Sequence, residues 1–173
     1  MGRAGDLARC ADLLREGRLF TLTGAGGAGK TRLALRLAGT LAAGFPGGVW
    51  WVDLAPLTGR EAVTGAVARA VPLVPAGADL DTMADVLGEV EALLVLDNCE
   101  HLGAGVPEFL DSLLRGTRAL RVLATSRGVL EVEGEIVWRV HPLAVPPAGT
   151  RAAELRRYDA ARLFLERAGV RSP

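Results

Sequence analysis

The feature that most constrains this chain is a glycine-rich stretch of eight residues that follows a short apolar run. Residues 24–31 read Gly-Ala-Gly-Gly-Ala-Gly-Lys-Thr, which matches the pattern G-x-x-x-x-G-K-[ST] at every fixed position. The run 18–23 predicts a buried strand, and 31–38, rich in Ala and Leu, predicts a helix. A strand, a glycine loop and a helix in this order direct backbone N–H groups and a helix N-terminus at a phosphate. The sequence therefore predicts a phosphate-binding loop.

The whole loop, together with the residue after it, is expected to contact a nucleotide. Lys30 supplies a compact positive charge for the β- and γ-phosphates, and the Thr31 hydroxyl is a ligand for Mg²⁺. Of the 20 basic residues, Lys30 is the one lysine and the other 19 are arginine, so lysine stands where a point charge suits a triphosphate. We expect the glycines to let the backbone close round the anion. The predicted nucleotide-binding residues are Gly24, Ala25, Gly26, Gly27, Ala28, Gly29, Lys30, Thr31 and Arg32.

Length and charge narrow the class of protein. A chain of 173 residues suits one domain with a sizeable core. The formal net charge of +0 gives no general attraction to nucleic acid or acidic membranes. No apolar run approaches the ~18 residues of a membrane span, and the first six residues contain no apolar segment of a secretion signal. We therefore expect a cytoplasmic protein, with no membrane contact and no direct DNA binding by this segment.

Strand-like and helix-like segments alternate along the rest of the chain. The further predicted strands cover 48–54, 92–96, 120–125 and 136–140, the last with the alternation of a sheet-edge strand. The other predicted helices cover 6–16, 61–71, 81–91, 107–115 and 158–168, with Asp81 as the N-cap of its helix. Such alternation predicts an α/β fold with a parallel sheet between helices. The ligand should lie at the carboxyl ends of the strands.

A metal-binding carboxylate is predicted at the end of the third strand. Residues 93–96 are four apolar residues followed by Asp97, which is the Walker B pattern. Mg²⁺ bound with a nucleotide needs a carboxylate nearby. Thr31 and Asp97 are therefore the predicted metal ligands, and the alternative for Asp97 is a strand-end residue that caps a turn.

Two more residues are candidates for the chemistry of hydrolysis. The residue after Asp97 is Asn98, a poor base that can still orient a water. Glu100, two residues further, could activate the attacking water, and the alternative is an ordinary exposed loop glutamate. Arg127 follows the strand 120–125, where it would lie beside Asp97 and contact the γ-phosphate, unless it is a surface arginine in a turn. The predicted catalytic residues are Lys30, Asp97, Glu100 and Arg127.

In this ordered set of motifs, the chain resembles the NB-ARC-like signal-transduction ATPases, the STAND class of P-loop NTPases. More narrowly, it resembles the nucleotide-binding domain of actinobacterial antibiotic-regulatory and LuxR-type transcriptional regulators. The matching segments are 21–34, 49–55, 94–102, 124–127, 137–143 and 160–164. The resemblance implies a three-layer α/β/α sandwich whose mostly parallel sheet has an additional strand between the P-loop and Walker B strands. It also implies ATP or ADP and Mg²⁺ as ligands, and a γ-phosphate sensor at Arg127.

The resemblance divides the chain into three parts. Residues 1–17 form a helix that leads into the domain, 18–145 the nucleotide-binding domain, and 146–173 a linker with the first helix of a truncated helical domain. We expect further helical and sensor domains in the full-length form, and nucleotide-dependent oligomerisation. The leading function is an ATP/ADP-binding switch with slow Mg²⁺-dependent hydrolysis that controls transcription. The alternatives are a non-hydrolysing ADP/ATP-binding module and a P-loop kinase, which the lack of an evident Arg-rich lid disfavours.

Overall fold

The computed structural model describes residues 4–59, 62–142, 144–147, 149–155, 158 and 161. Within these residues the chain forms six α-helices and five strands. The helices are α1 (Ala4–Glu16), α2 (Lys30–Leu41), α3 (Ala62–Ala70), α4 (Leu80–Leu87), α5 (Gly105–Gly116) and α6 (Ala152–Leu155). The strands are β1 (Leu19–Thr23), β2 (Val49–Asp53), β3 (Leu93–Asp97), β4 (Arg121–Ser126) and β5 (Glu135–Arg139). Short 3-10 turns follow α2 at Ala42–Gly44 and β3 at Cys99–Leu102.

The five strands form one sheet in the order β2-β3-β4-β1-β5. All four neighbouring pairs are parallel. Helices lie in each connection between consecutive strands except that from β4 to β5, which contains none. Strand β4 lies between the P-loop strand β1 and the Walker B strand β3, which confirms the additional strand. Strand β5 lies at the edge beside β1, as its alternating pattern predicts.

Helices cover both faces of the sheet, and β3 shows the arrangement most clearly. Leu93 and Val95 contribute to one buried apolar cluster, whereas Leu94 and Leu96 contribute to the other. Helices α1 and α2 supply the first cluster, and α3, α4 and α5 supply the second. A strand buried on both faces is apolar throughout because successive side chains point to opposite faces. The three-layer α/β/α sandwich is confirmed.

Two arginines connect helix C-termini to the amino ends of the strands, opposite the predicted ligand site at the carboxyl ends. The Nη1 atom of Arg18 donates to the carbonyl oxygens of Leu114, at 2.7 Å, and Thr117, at 2.5 Å, at the end of α5. Arg121 donates from Nη1 to the carbonyl oxygen of Gly17, just beyond α1, at 2.6 Å. The last carbonyl groups of a helix lack partners within the helix and carry partial negative charge, so a guanidinium satisfies both needs.

The prediction of Asp81 as the N-cap of α4 is wrong by two residues. The N-cap is Asp79, whose Oδ1 accepts a hydrogen bond from the backbone N–H of Thr82 at 2.9 Å. Hydrogen bonds from the Thr82 side chain and backbone N–H lower the pKa of Asp79 below its usual value of 3.8. Asp81 instead lies in the first turn, where its charge still complements the helix dipole.

The C-terminal part of the chain is only partly described. Helix α6 falls within the segment predicted as a linker. The predicted helix 158–168, and with it the predicted start of a helical domain, lies outside the described residues except for 158 and 161. In the described ranges, no helix is long and apolar enough to cross a membrane.

Candidate nucleotide-binding site

The glycine loop joins the end of β1 to the start of α2, and two of its glycines have a clear structural reason. Gly24 has a φ of 146°, and a Cβ added there would lie 2.5 Å from the carbonyl oxygen of Val140, the residue after β5. Gly29, the N-cap of α2, adopts the left-handed conformation with a φ of 89°. At Gly24 the constraint therefore comes from close packing against the chain after β5, which differs from the expected constraint of closure round an anion.

The N-terminus of α2 has the properties of an anion site. Gly29 provides no side-chain cap, and the first turn contains no acidic residue. The first N–H groups of the helix therefore keep their partial positive charge for a ligand. Arg32 lies exposed in this first turn, and the loop residues Ala25, Gly26, Gly27, Gly29 and Thr31 are exposed as well.

Lys30 holds its positive charge inside the loop. Its side chain is only 8% exposed, and Nζ donates to the carbonyl oxygens of Gly24, at 2.8 Å, and Ala25, at 3.2 Å. An ammonium group has three N–H donors, so these two bonds leave one for a phosphate oxygen. The backbone of the loop thus holds the Lys30 ammonium group in place for the phosphates of the predicted ligand.

The two predicted metal ligands are in direct contact. Asp97 ends β3 and is 4% exposed, and its Oδ1 accepts a hydrogen bond from the Thr31 hydroxyl at 3.0 Å. A hydroxyl that donates to a carboxylate keeps its oxygen lone pairs for a cation. Mg²⁺ commonly uses one or two protein oxygens together with nucleotide phosphates. The contact between a hydroxyl and a carboxylate therefore fits a site that nucleotide phosphates complete. In the described residues no group of three or more His, Cys, Asp or Glu side chains could hold a metal.

A residue that sequence reasoning missed, Thr125, stands beside Asp97. Its hydroxyl donates to Asp97 Oδ1 at 2.5 Å and accepts from the backbone N–H of Asn98 at 3.1 Å. The register that pairs Leu96 with Ala124 makes the contact possible. A polar residue near the end of an apolar strand was the available signal, but its partner depends on the strand order.

Glu100 and Arg127, predicted as separate candidates, form an ion pair. Arg127 Nε lies 3.2 Å from Glu100 Oε1, with side chains 73% and 24% exposed, respectively. Arg127 follows β4 and Glu100 lies in the 3-10 turn after β3, so the two neighbouring strands bring them together. Glu100 Oε2 is buried and has no hydrogen-bond partner among the described residues. A buried acceptor without a donor marks a place for a water or a ligand.

Asn98 lies between two carboxylates at the same edge. It has a left-handed backbone with a φ of 65°, which Asn tolerates better than most residues. Its Nδ2 lies 3.0 Å from Asp53 Oδ1, at the end of β2, and 3.4 Å from Asp97 Oδ2. The neighbouring Cys99 is a buried thiol, and burial raises its pKa, so it remains protonated and chemically inert.

Comparison with protein families agrees with this geometry. The model of the AAA domain matches residues 14–132, which is more than half of the chain. The chain belongs to the AAA domain family. It is therefore an AAA-type P-loop nucleotide-binding domain, and the loop, Lys30, Thr31 and Asp97 lie inside the matched range.

Two mycobacterial relatives are substantially longer than this chain. It is 38% identical over 170 residues to an uncharacterized protein of Mycobacterium tuberculosis, covering 97% of this chain and 40% of that protein. It is 42% identical over 135 residues to an M. tuberculosis protein named "Putative HTH-type transcriptional regulator", covering 77% of this chain and 15% of that one. The chain thus spans about two fifths of the first relative's length.

Two solved structures share the fold at low sequence identity. Cdc6p from Pyrobaculum aerophilum superposes with a TM-score of 0.62 at 18% identity, over 80% of this chain and 45% of that one. A Drosophila ORC structure bound to DNA superposes with a TM-score of 0.63 at 16% identity, over 90% and 45%. At these identities the likeness concerns the fold alone. The narrower resemblance to NB-ARC-like ATPases stays a prediction.

Proposed function

We propose that this domain is an ATP/ADP-binding switch that hydrolyses ATP slowly with Mg²⁺, within a longer transcriptional regulator of the NB-ARC-like class. The observation that carries the proposal is the contact between Thr31 and Asp97, at 3.0 Å, directly beneath the loop that holds Lys30. The regulatory setting rests on the similarity to the M. tuberculosis protein with the regulator name. Further helical and sensor domains, nucleotide-dependent oligomerisation and a cytoplasmic location belong to the same proposal.

In the proposed mode of binding, the α2 N-terminus and Lys30 hold the phosphates. The N–H groups of the first helical turn donate to phosphate oxygens, and Lys30 Nζ adds its remaining N–H. Thr31 and Asp97 would hold Mg²⁺, which neutralises charge that develops on the phosphates. Thr125 keeps Asp97 oriented because its hydroxyl donates a hydrogen bond to Asp97 Oδ1 at the carboxyl ends of β3 and β4.

The ion pair of Glu100 and Arg127 connects recognition of the γ-phosphate to hydrolysis. Arg127 binds Glu100 through Nε, and its exposed guanidinium has further N–H donors for a phosphate. When Arg127 turns to the γ-phosphate, Glu100 loses its cation and becomes available to accept a proton from water. ADP has no γ-phosphate, so with ADP bound Arg127 stays paired with Glu100, whereas with ATP bound it contacts the γ-phosphate.

A non-hydrolysing ADP/ATP-binding module is the second candidate function. It is favoured by the same ion pair, because Arg127 occupies Oε1 of the proposed base, and by the amide at Asn98, which is a poor base. The two candidates differ only in whether bound ATP is cleaved. Phosphate recognition by the loop is common to both.

The test starts from the purified protein. It is denatured, the released nucleotide is identified, and phosphate release from ATP is followed in single-turnover conditions with and without Mg²⁺. Mg²⁺-dependent release of phosphate supports the switch. Bound adenine nucleotide without phosphate release supports the passive module, and failure to bind ATP or ADP contradicts both.

A further inference from the structure

The carboxyl ends of β2 and β3 bring two carboxylates close to one amide. The parallel register pairs Asp53 with Asp97, so the two strand ends lie side by side. Asn98 follows Asp97, and its left-handed backbone turns the chain so that Nδ2 contacts Asp53 Oδ1 at 3.0 Å. Nδ2 also lies 3.4 Å from Asp97 Oδ2. Asp53 is thereby connected through Asn98 to the predicted metal ligand.

These contacts fix which way the amide of Asn98 faces. An ionised carboxylate only accepts hydrogen bonds, so the NH₂ group must face Asp53 and Asp97. The reversed amide would set its carbonyl oxygen against two carboxylates. Asp53 is itself held in place, since its Oδ1 also accepts from the backbone N–H of Ala55 at 3.0 Å. The carbonyl oxygen Oδ1 of Asn98 is therefore directed away from both acids, where it can accept from a water.

The same arrangement explains why the residue after the Walker B acid is an amide. A carboxylate at position 98 would lie within 3.4 Å of two other carboxylates. Like charges at this distance repel each other. Next to Asp53 and Asp97, position 98 therefore suits an amide, whose NH₂ group donates hydrogen bonds to the acids and whose carbonyl oxygen accepts one on the opposite side.

We propose that Asp53 is a positioning residue for ATP hydrolysis, which fixes the amide of Asn98 so that its Oδ1 orients the attacking water while Glu100 accepts the proton. The inference rests on the proposed function, because it requires that bound ATP be hydrolysed. Asp53 touches neither nucleotide nor water in this mechanism. It acts through Asn98 alone, and a double-mutant cycle measures such dependence directly.

The experiment compares kcat and KM for ATP in Asp53→Ala, Asn98→Ala and the double variant. Asp53→Ala should lower kcat about three- to tenfold, the effect of one partly exposed hydrogen bond on the transition state, with little change in KM. Adding it to Asn98→Ala should cause no further loss. Asp53→Asn, which keeps an oxygen acceptor, should lose less than Asp53→Ala. Asp85→Ala, which removes an exposed carboxylate from α4, is the matched control.

A second measurement does not depend on turnover. Asn98→Asp should lower the Tm, because it places a third carboxylate beside Asp53 and Asp97. Adding Asp53→Asn should relieve much of this loss. If the losses in kcat add, or if Asp53→Asn gives no relief, Asp53 does not act through Asn98 and this inference is overturned while the proposed function stands. A wild-type protein that binds ATP without hydrolysing it overturns both.

Discussion

Replacing Arg127 by alanine should weaken the binding of ATP while leaving ADP binding nearly unchanged. In the proposed switch, the guanidinium contacts only the terminal phosphate, which ADP lacks. A hydrogen bond to a charged group is worth about 1.5 to 3 kcal/mol. From the sequence alone, the whole of this free energy would be expected as the loss of ATP affinity in Arg127→Ala. The structure lowers the expected value because the guanidinium must first leave Glu100 Oε1, 3.2 Å away.

We take the cost of leaving Glu100 as that of a surface ion pair, because the arginine that moves is 73% exposed, while Glu100, 24% exposed, stays in place. Exposed ion pairs contribute about 0 to 1 kcal/mol. The net gain of ATP over ADP from Arg127 is therefore roughly 0.5 to 3 kcal/mol, which is about a two- to hundredfold difference in affinity. Competition titrations with ATP and ADP on wild type and Arg127→Ala measure this difference.

Glu100→Gln completes the cycle, because it removes the charge that competes for Arg127. It should strengthen ATP binding by up to about fivefold, leave ADP binding unchanged, and have no effect on ATP affinity in the Arg127→Ala background. Arg118→Ala is the control, since Arg118 forms a more exposed arginine–glutamate pair with Glu89, at 3.5 Å. Equal losses for ATP and ADP in Arg127→Ala would refute the γ-phosphate contact, and an unchanged Glu100→Gln effect in the double variant would refute the exchange.

Four further predictions test separate parts of the site and fold. Lys30→Ala should abolish nucleotide binding with the fold largely kept, and unchanged ATP affinity by calorimetry would contradict the phosphate-loop assignment. Asp97→Ala should weaken Mg²⁺-dependent binding and remove turnover; wild-type turnover at limiting Mg²⁺ would require another metal ligand. Glu100→Gln should slow single-turnover hydrolysis about 10²- to 10⁴-fold, and an unchanged rate would exclude Glu100 as the base. Asp79→Ala should lower the Tm near neutral pH. Because the pKa of Asp79 is lowered in the folded state, the stabilisation by its carboxylate is present above pH 3.8 and is lost as the pH falls through the folded-state pKa. The Tm difference between wild type and Asp79→Ala should therefore shrink in acid. A Tm difference that does not change with pH would contradict this.

The elements that the sequence predicted are those with a local cause. The apolar run 93–96 is buried on both faces, and the loop 24–31 joins a strand to a helix, because each pattern depends on neighbours in the chain. Even there, local reasoning had limits. Asp79 and Asp81 are both acids before or within the first turn of α4, and only the backbone conformation decides which one caps the helix.

At the candidate site, the side-chain contacts of Asp97 and Asn98 that sequence reasoning missed cross between strands. Asp97 meets Thr125, and Asn98 meets Asp53, because β3 lies between β2 and β4 at a fixed parallel register. A shift of one residue would move each of these side chains to the other face of the sheet. The chain order of the motifs contains the residue types but not this register. The same register places Thr125 beside Asp97, and Arg127 forms its ion pair with Glu100. The chemistry proposed for this site therefore depends on strand order as much as on the glycine loop. Asp53, Glu100 and Arg127 lie outside the loop motif, so their variants test the contribution of strand order directly.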